Sequence, residues 1–364
     1  MKLKEITGYI EKIAPLMYQE SYDNSGLQVG DFQMDLSGAL ITLDITEEVV
    51  EEAIRKKLNL VIGHHPLIFG GIKSITGRSM EERVIKLAIK NDIAIYAAHT
   101  NLDSISKGVS NKMCDIMGMT DCVILDPVAG RLKKLVVFVP LDYADKVRTA
   151  IFEGGAGFIG KYDSCSFNVH GEGTFRGGED SNPFAGKRGE LATEKEVRIE
   201  TVFPEHVKGT VLTAMLQAHP YEEVAYDIYP IENKYREIGM GMIGRFETAV
   251  SESDFLELLK SSFSTGVIRH TELTGKKIKK VAVVGGAGSS LLSAAIAQKA
   301  DAFVSGDFKY HQFFRADGKI LIADIGHFES EQFTRELIYE SLMKKFPKFA
   351  VQLSEISTNP IKYF

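Results

Sequence analysis

Short apolar runs alternate with amphipathic segments in the first third of the chain. Residues 39–44, 60–62 and 93–98 have the apolar character of buried strands. Residues 47–58 and 80–91 instead place their apolar side chains at helical spacing. Regular alternation of strands and helices is typical of a mainly parallel sheet, so the pattern predicts an α/β fold.

The same alternation stops near Asp126 and resumes near Lys279. It then predicts strands at 280–284, 302–305 and 319–325 and a helix at 291–299. In each block a short apolar strand ends in a glycine and a polar residue, and a further strand leads to a histidine and a carboxylate. Duplicated βα units are one interpretation. The other is chance similarity, because short βαβ units resemble one another for physical reasons alone.

The middle of the chain has a different order of elements. The pattern predicts strands at 134–139, 162–170, 196–203 and 223–229 and helices at 142–152 and 204–217. This order of βαβ followed by βαβ is that of a ferredoxin-like α+β domain. Residues 171–189 are rich in Gly, Asp, Ser and Asn, which predicts a loop. We therefore predict a discontinuous α/β domain of residues 1–127 and 236–364, with an α+β domain of residues 128–235 inserted into it.

Composition narrows the class of protein. A chain of 364 residues exceeds one ordinary core, and its 44% hydrophobic and 25% charged content is that of a soluble protein. The three cysteines are odd in number and lack CxxC spacing, which argues against disulfides or a thiolate zinc site and favours the cytoplasm. We expect no membrane partner, because no apolar run is long enough to span a bilayer.

The net charge of −6 argues against bulk binding to nucleic acid, which depends on neutralising phosphates. A local basic patch would still allow such binding.

Four sets of polar side chains follow predicted strands. They are His64 with His65, His99 with Asp103, Asp307 with His311, and His327 with Glu331. Imidazole and carboxylate without thiolate suit Zn, Mn, Fe or Co better than Ca or Mg. Taken singly, each residue has a structural explanation, such as an N-cap for Asp103 or a helix-dipole contact for Glu331. Their convergence at equivalent strand ends favours a metal site.

The segment from Gly285 to Ser290 has two interpretations. A predicted strand enters it and a predicted helix leaves it, so its amides could hold a phosphate or carboxylate. It lacks the third glycine of GxGxxG and the lysine of a P-loop. A tight turn from strand to helix explains it equally well.

Several motifs together resemble the NIF3 family, also called the GTP cyclohydrolase 1 type 2 or YqfO/YbgI-like proteins. The matching segments are Tyr22–Gly30, Gly63–Pro66, His99–Asp103, Ser305–Asp307 with His311, and Gly326–Glu331. The resemblance implies two divalent metal ions per chain, with zinc first and Fe, Mn or Co as alternatives. It implies that their ligands are His64, His65, Asp103, His327 and Glu331. It also implies a toroidal homohexamer.

The inserted domain resembles PII and CutA1 proteins through His219–Glu223, as in the longer bacterial members of the family. Such modules often trimerise or bind small molecules, so it could cap the ring or sense a ligand. One departure from the family is Tyr22, where many members carry tryptophan.

Two functions follow from these motifs. The first is a metal-dependent hydrolase acting on a small molecule, with a nucleotide as candidate and His99 as candidate general base. The family label suggests opening of the GTP ring to give formate and dihydroneopterin triphosphate. The second is a non-catalytic metal-binding scaffold or regulator with a protein or nucleic-acid partner. Its nucleic-acid branch requires basic residues such as Lys73, Arg78, Lys187 and Arg188 to gather on one face.

Overall fold

A computed structural model describes residues 1–363 of the chain. The helices are α1 Leu3–Ile13, α2 Glu47–Arg55, α3 Met80–Lys90, α4 Thr100–Asp103, α5 Val109–Ile116, α6 Ala144–Glu153, α7 Lys208–Ala218, α8 Glu252–Ser262, α9 Leu292–Ala297, α10 Tyr310–Phe313, α11 His327–Glu331 and α12 Thr334–Lys345. The strands are β1 Gly26–Val29, β2 Ala39–Thr42, β3 Leu60–Gly63, β4 Ala94–Ala97, β5 Thr120–Ala129, β6 Leu132–Pro140, β7 Phe167–Arg176, β8 Leu191–Pro204, β9 Tyr226–Ile231, β10 Lys234–Val250, β11 Arg269–His270, β12 Ile278–Ala287, β13 Ala302–Gly306, β14 Leu321–Asp324 and β15 Val351–Leu353. None of the described helices is long and apolar enough to cross a membrane.

The chain divides into two compact units. Met1–Pro127 and the chain from Arg236 onward form the first unit, and Val128–Tyr235 forms the second. The first unit is therefore discontinuous in sequence.

Two sheets of the first unit repeat one topology. The first has the strand order β1-β4-β3-β2-β15, and the second has the order β11-β14-β13-β12-β10-β5. In both, three consecutive strands lie parallel and an earlier strand pairs antiparallel with the last of them. This repetition agrees with duplicated βα units. Strands β3 and β4 of the first sheet therefore correspond to β13 and β14 of the second, and so do the segments that follow them.

The short parallel strands are continuously apolar because both their faces are buried. Every residue of β3 is buried, and Val61 packs in one cluster with the α2 residue Val50 and the α3 residue Val84. Helix α2 begins after Thr46, whose hydroxyl accepts the backbone N–H of Val49 over 3.4 Å. Polar residues follow these strands at their carboxyl ends, where the chain leaves the core, as in other open α/β sheets.

The second unit contains a four-stranded antiparallel sheet with the order β7-β8-β6-β9. Strand β7 lies at 167–176 rather than at the predicted 162–170, so part of the loop predicted at 171–189 is strand. The physical reason is backbone pairing with β8 from Phe167 to Arg176, which tolerates Gly171 and Gly173. Because glycine weakens strand propensity, these two residues obscured the strand in the sequence.

Candidate metal centre

The five candidate metal ligands meet at the carboxyl ends of parallel strands in the first unit. His64 and His65 directly follow β3, and Asp103 ends α4, the short helix after β4. His327 and Glu331 begin and end α11, which follows β14. The site therefore draws its residues from both sheets. Spacing of four along a helix puts His327 and Glu331 on one face, as the sequence predicted.

The backbone after β3 bends so that both histidines of the doublet serve the cluster. The amides of His64 and His65 both donate to the carbonyl of Leu43 over 3.0 Å, and the ring centroids lie 5.0 Å apart. His64 Nδ1 lies 2.7 Å from the carbonyl oxygen of Ala98. Because a carbonyl only accepts, Nδ1 carries the proton and Nε2 presents a lone pair to the cluster.

The first group of ligand atoms consists of His64 Nε2, Asp103 Oδ1 and Glu331 Oε1, and the His64 ring is fully buried. His64 Nε2 lies 3.7 Å from Asp103 Oδ1 and 3.8 Å from Glu331 Oε1. His64 Nε2 and Asp103 Oδ1 are both buried without a hydrogen-bond partner. Leaving such an atom unpaired costs about 1–3 kcal/mol. A cation between these atoms would satisfy both of them.

The second group consists of atoms of His65, His327 and Glu331, and its atoms lie closer together than those of the first group. Nε2 of His65 and Nε2 of His327 lie 2.9 and 3.0 Å from Glu331 Oε2, and the two nitrogens lie 3.2 Å apart. Tetrahedral zinc with bonds of about 2.0–2.1 Å separates its ligand atoms by roughly 3.3 Å. The spacing therefore fits one ion with little movement. Glu331 gives one oxygen to each group, which is the arrangement of a bridging carboxylate.

Aspartates fix the orientation of both rings in the second group. His65 Nδ1 lies 2.7 Å from Asp44 Oδ1, and His327 Nδ1 lies 2.7 Å from Asp307 Oδ2. Such a contact aims Nε2 at the cluster and is the usual support of a metal-bound histidine. Sequence reasoning did not assign these roles. A signal existed, since each aspartate follows the strand beside the one that precedes its histidine.

Protons occupy the second group when no metal is bound. Burial would lower the pKa of His65, but the carboxylates of Asp44 and Glu331 outweigh it and raise that pKa to about 10. Burial is outweighed in the same way at His327, where Glu331 and Asp307 raise the pKa to about 9. The surrounding imidazoles hold the pKa of Glu331 well below its usual range despite its burial. A metal would replace these protons.

Asp103 responds differently because it has no hydrogen bond from a histidine. Burial raises its pKa to about 7. A cation in the first group would keep this carboxyl ionised.

His99 stands beside the doublet. Its ring centroid lies 5.3 Å from that of His64 and 5.4 Å from that of His65. His99 Nδ1 lies 2.7 Å from Asp23 Oδ1, which leaves Nε2 as its available nitrogen. Asp23 also accepts the Thr100 amide, and these contacts hold the pKa of Asp23 below its usual range despite burial. Asp23 belongs to a motif seen in the sequence, but its partnership with His99 was not predicted.

His311 does not join this cluster. It lies in α10, and its ring stacks on the exposed Phe314 with centroids 6.2 Å apart. Among residues 1–363, no group of ligand atoms close enough to hold a metal includes it. His311 belongs to the family motif but not to this group of candidate metal ligands.

The glycine-rich segment at the end of β12 donates three of its backbone amides to serine hydroxyls. Gly285, Gly286 and Gly288 donate to Ser110, Ser330 and Ser305 over 3.4, 2.9 and 2.8 Å. These amides are therefore engaged within the protein, and a tight turn accounts for the segment better than an anion cradle does.

Gly286 has a further role beside the cluster. Its φ of +61° is in the left-handed region, and a Cβ there would lie 2.3 Å from Glu331 Oε1. The turn therefore makes room for the shared carboxylate.

Two α/β sheets of like topology, joined by a cluster of histidines and carboxylates, define a protein with a candidate metal centre. The family described as Duf34/NIF3 (NGG1p interacting factor 3) matches residues 1–360, and the chain belongs to this family. A Bacillus subtilis relative named GTP cyclohydrolase 1 type 2 homolog is 37% identical, covering 99% of this chain and 98% of its own.

Solved structures agree with this assignment. The Bacillus cereus protein related to NIF3 superposes with a TM-score of 0.88 at 37% identity, covering 100% of this chain and 99% of its own. A Staphylococcus aureus protein superposes with a TM-score of 0.79 at 29% identity, with the same coverage.

Gly286→Ala should displace Glu331 and lower the amount of metal retained per chain, measured by mass spectrometry of the purified protein. Gly318→Ala is the matched control, because Gly318 has a similar φ of +65° but open space around its Cβ position. Both variants should lose about 1–2 kcal/mol of stability from the left-handed backbone. Equal metal content in the two variants would contradict the role of Gly286.

Metal-stripped protein should lose stability as the pH rises from about 6.5, the histidine pKa of an unfolded chain, to 10. The folded-state pKa values of His65 and His327 are about 10 and 9. Their protonated contacts therefore stabilise the fold fully below pH 6.5, and this contribution disappears as the pH passes through the raised values.

Melting temperatures across this pH range test the effect. Asp44→Asn, which removes one carboxylate from His65, should show a smaller decline than the wild type. Parallel declines would show that the His65 contact contributes nothing to pH-dependent stability.

Proposed function

We propose that this protein is a metal-dependent hydrolase that holds two divalent ions per chain. His64, Asp103 and Glu331 would bind one ion, and His65, His327 and Glu331 would bind the other. The observation that carries this proposal is the pair of buried, unpartnered atoms His64 Nε2 and Asp103 Oδ1, facing a carboxylate whose other oxygen contacts two more imidazoles. Each ion would then have three ligands from the protein, as in catalytic sites with a position left open.

Zinc is the first candidate metal, because nitrogen and oxygen ligands in a tight cluster suit it well. Iron, manganese and cobalt are the alternatives, since the same ligand types accept them.

A pair of such ions polarises a substrate oxygen and lowers the pKa of bound water. The chain supplies the groups that move protons. His99 would accept a proton at Nε2, because Asp23 holds its Nδ1 and leaves the other nitrogen free. Asp23 would then stabilise the imidazolium that forms, as a carboxylate partner does for other histidine bases. Phe69 packs edge-on to His99 at 6.1 Å between centroids.

The substrate we propose to test first is GTP, with opening of the purine ring and release of formate. Support comes from the names of relatives, which read GTP cyclohydrolase 1 type 2 homolog. The amides of the Gly285–Ser290 turn already contact serines, so a triphosphate would need other partners. Hydrolysis of phosphoesters or amides in other small molecules is the alternative.

We further propose that the chain assembles as a toroidal homohexamer in the cytoplasm and that its second unit is a PII/CutA1-like module. The assembly is what the resemblance of the sequence motifs to the NIF3 family implies, and the chain belongs to that family. The antiparallel strand order of the second unit supports the module, because it is that of a ferredoxin-like βαββαβ domain.

Glu331→Gln should remove metal without unfolding the chain, because it removes the negative charge of the carboxylate whose two oxygens serve the two groups. We expect the metal content to fall from two ions per chain to one or none, with an unchanged circular dichroism spectrum. His311→Asn serves as the control, since His311 belongs to the motif but lies outside the cluster. Two ions retained by Glu331→Gln would contradict a bridging carboxylate.

His99→Asn should lower kcat by about 10²–10⁴ while both metals stay bound, as expected for loss of a general base. The assay measures formate release from GTP by protein reconstituted with Zn, Mn, Fe or Co, with phosphoesters in parallel. Loss of metal in this variant would make His99 a ligand instead of a base. Absence of turnover by the fully loaded wild type would favour the metal-binding scaffold.

A further inference from the structure

The second unit contains a cavity of about 620 Å³ that is separate from the metal centre. The β8 residues Val197 and Ile199 pack in a hydrophobic cluster with the helical residues Val147 and Val211. Alternate residues of a strand point to opposite faces, so Glu196 and Arg198 face away from the helices. Both line the cavity, which therefore lies on the sheet face opposite α6 and α7.

Two glycines of the edge strand β7 keep this face open. Gly171 pairs with Glu196 across the strands, and a Cβ at Gly171 would meet nothing within 4 Å. A Cβ at Gly173 would lie 2.3 Å from Glu196 Oε2. Glycine inside a strand costs stability and often marks close approach of a ligand. These two positions expose backbone and a carboxylate where side chains would otherwise fill the space.

Glu196 is a largely buried carboxylate, and one of its two oxygens accepts a hydrogen bond from Tyr221. It is 9% exposed, and its Oε1 accepts a hydrogen bond of 2.9 Å from the hydroxyl of Tyr221. Its Oε2 lies beside Gly173, where a Cβ would come within 2.3 Å of it, so the glycine leaves this oxygen room for a partner from the cavity. A carboxylate oxygen in this position favours a ligand that donates hydrogen bonds, because an ionised carboxylate only accepts and its charge strengthens those bonds.

The position of Tyr221 is fixed through a hydrogen bond between its backbone amide and the His219 ring. The Tyr221 amide donates to His219 Nδ1 over 3.1 Å, so His219 Nε2 carries the proton and donates to the Phe138 carbonyl over 3.0 Å. Burial lowers the pKa of His219, which agrees with this neutral form. The sequence His219-Pro220-Tyr221 thus fixes the ring that orients Glu196.

The remaining walls are aromatic and acidic. Phe175 and Phe184 lie 6.0 and 5.8 Å from the Tyr221 ring, measured between centroids. Carboxylates outnumber cations in the lining, where Glu172, Glu196, Glu222 and Glu223 face Arg176 and Arg198. Arg198 is paired with Glu200 over 2.8 Å. The cavity therefore favours a flat body that is cationic or neutral over an anion.

We propose that this cavity is a small-molecule site for a flat ring compound that presents adjacent N–H donors to Glu196. The ring would lie among Phe175, Phe184 and Tyr221, and two parallel N–H groups would face the carboxylate. An aromatic amidine and a guanine-type base share this donor edge, the first as a cation and the second as a neutral group. The volume is in the usual range for small-molecule sites. This site does not depend on the metal centre.

Calorimetric titration of the full-length protein with benzamidine and with guanosine tests the proposal. We expect at least one probe to bind the wild type. Gly171→Leu should abolish that binding, because the new side chain enters open space in the cavity. Glu196→Gln should weaken it at least about tenfold, the effect of losing one charged hydrogen bond. Binding of benzamidine alone would show that the site selects charge, and binding of guanosine alone would show that it selects the neutral donor edge.

Gly209→Leu is the matched control, because Gly209 in α7 also has open space around its Cβ position and lies outside the cavity. It should bind like the wild type. Failure of both probes to bind the wild type at millimolar concentration would overturn the proposal. Undiminished binding by Gly171→Leu would also overturn it, since the probe would then occupy another place such as the metal centre.

Discussion

The buried carboxylate of Glu331 is the interaction on which the candidate site depends. Only 4% of its side chain is exposed, and its two oxygens face imidazoles from both halves of the first unit. A buried charge needs opposite charge and hydrogen bonds, or it destabilises the fold. Protons on His65 and His327 supply that compensation without metal, whereas two cations would supply it more completely. The same carboxylate therefore links folding, protonation and metal affinity.

The repeated topology explains how these groups come together. Each sheet contributes residues that follow the carboxyl ends of its parallel strands, where backbone leaves the core and polar side chains can converge. The first sheet supplies His64 and His65, and the second supplies His327 and Glu331. Small residues complete the arrangement, since a side chain at Gly286 would occupy the place of the shared carboxylate. Aspartates from adjacent strands then set the direction of the rings.

Much of the first unit could be predicted from sequence because its signals are local. Apolar runs marked β3 and β4, and spacing of four placed His327 and Glu331 on one helix face. The contacts of Asp44 and Asp23 were missed, because they join residues 21 and 76 positions apart. For Asp44 the one signal was its position after the strand next to β3. The glycine turn was ambiguous because its amides contact serines from distant segments. Strand β7 was misplaced because its glycines weaken the strand pattern, and that same feature opens the cavity of the second unit.

Anomalous X-ray diffraction from crystals of the metal-loaded protein tests the central claim most directly. The account predicts two ions per chain, one contacting His64 Nε2, Asp103 and Glu331 Oε1, and the other contacting His65 Nε2, His327 Nε2 and Glu331 Oε2. Each ion should keep a coordination position that no protein atom fills. A single ion, or two ions without Glu331 between them, would contradict the account.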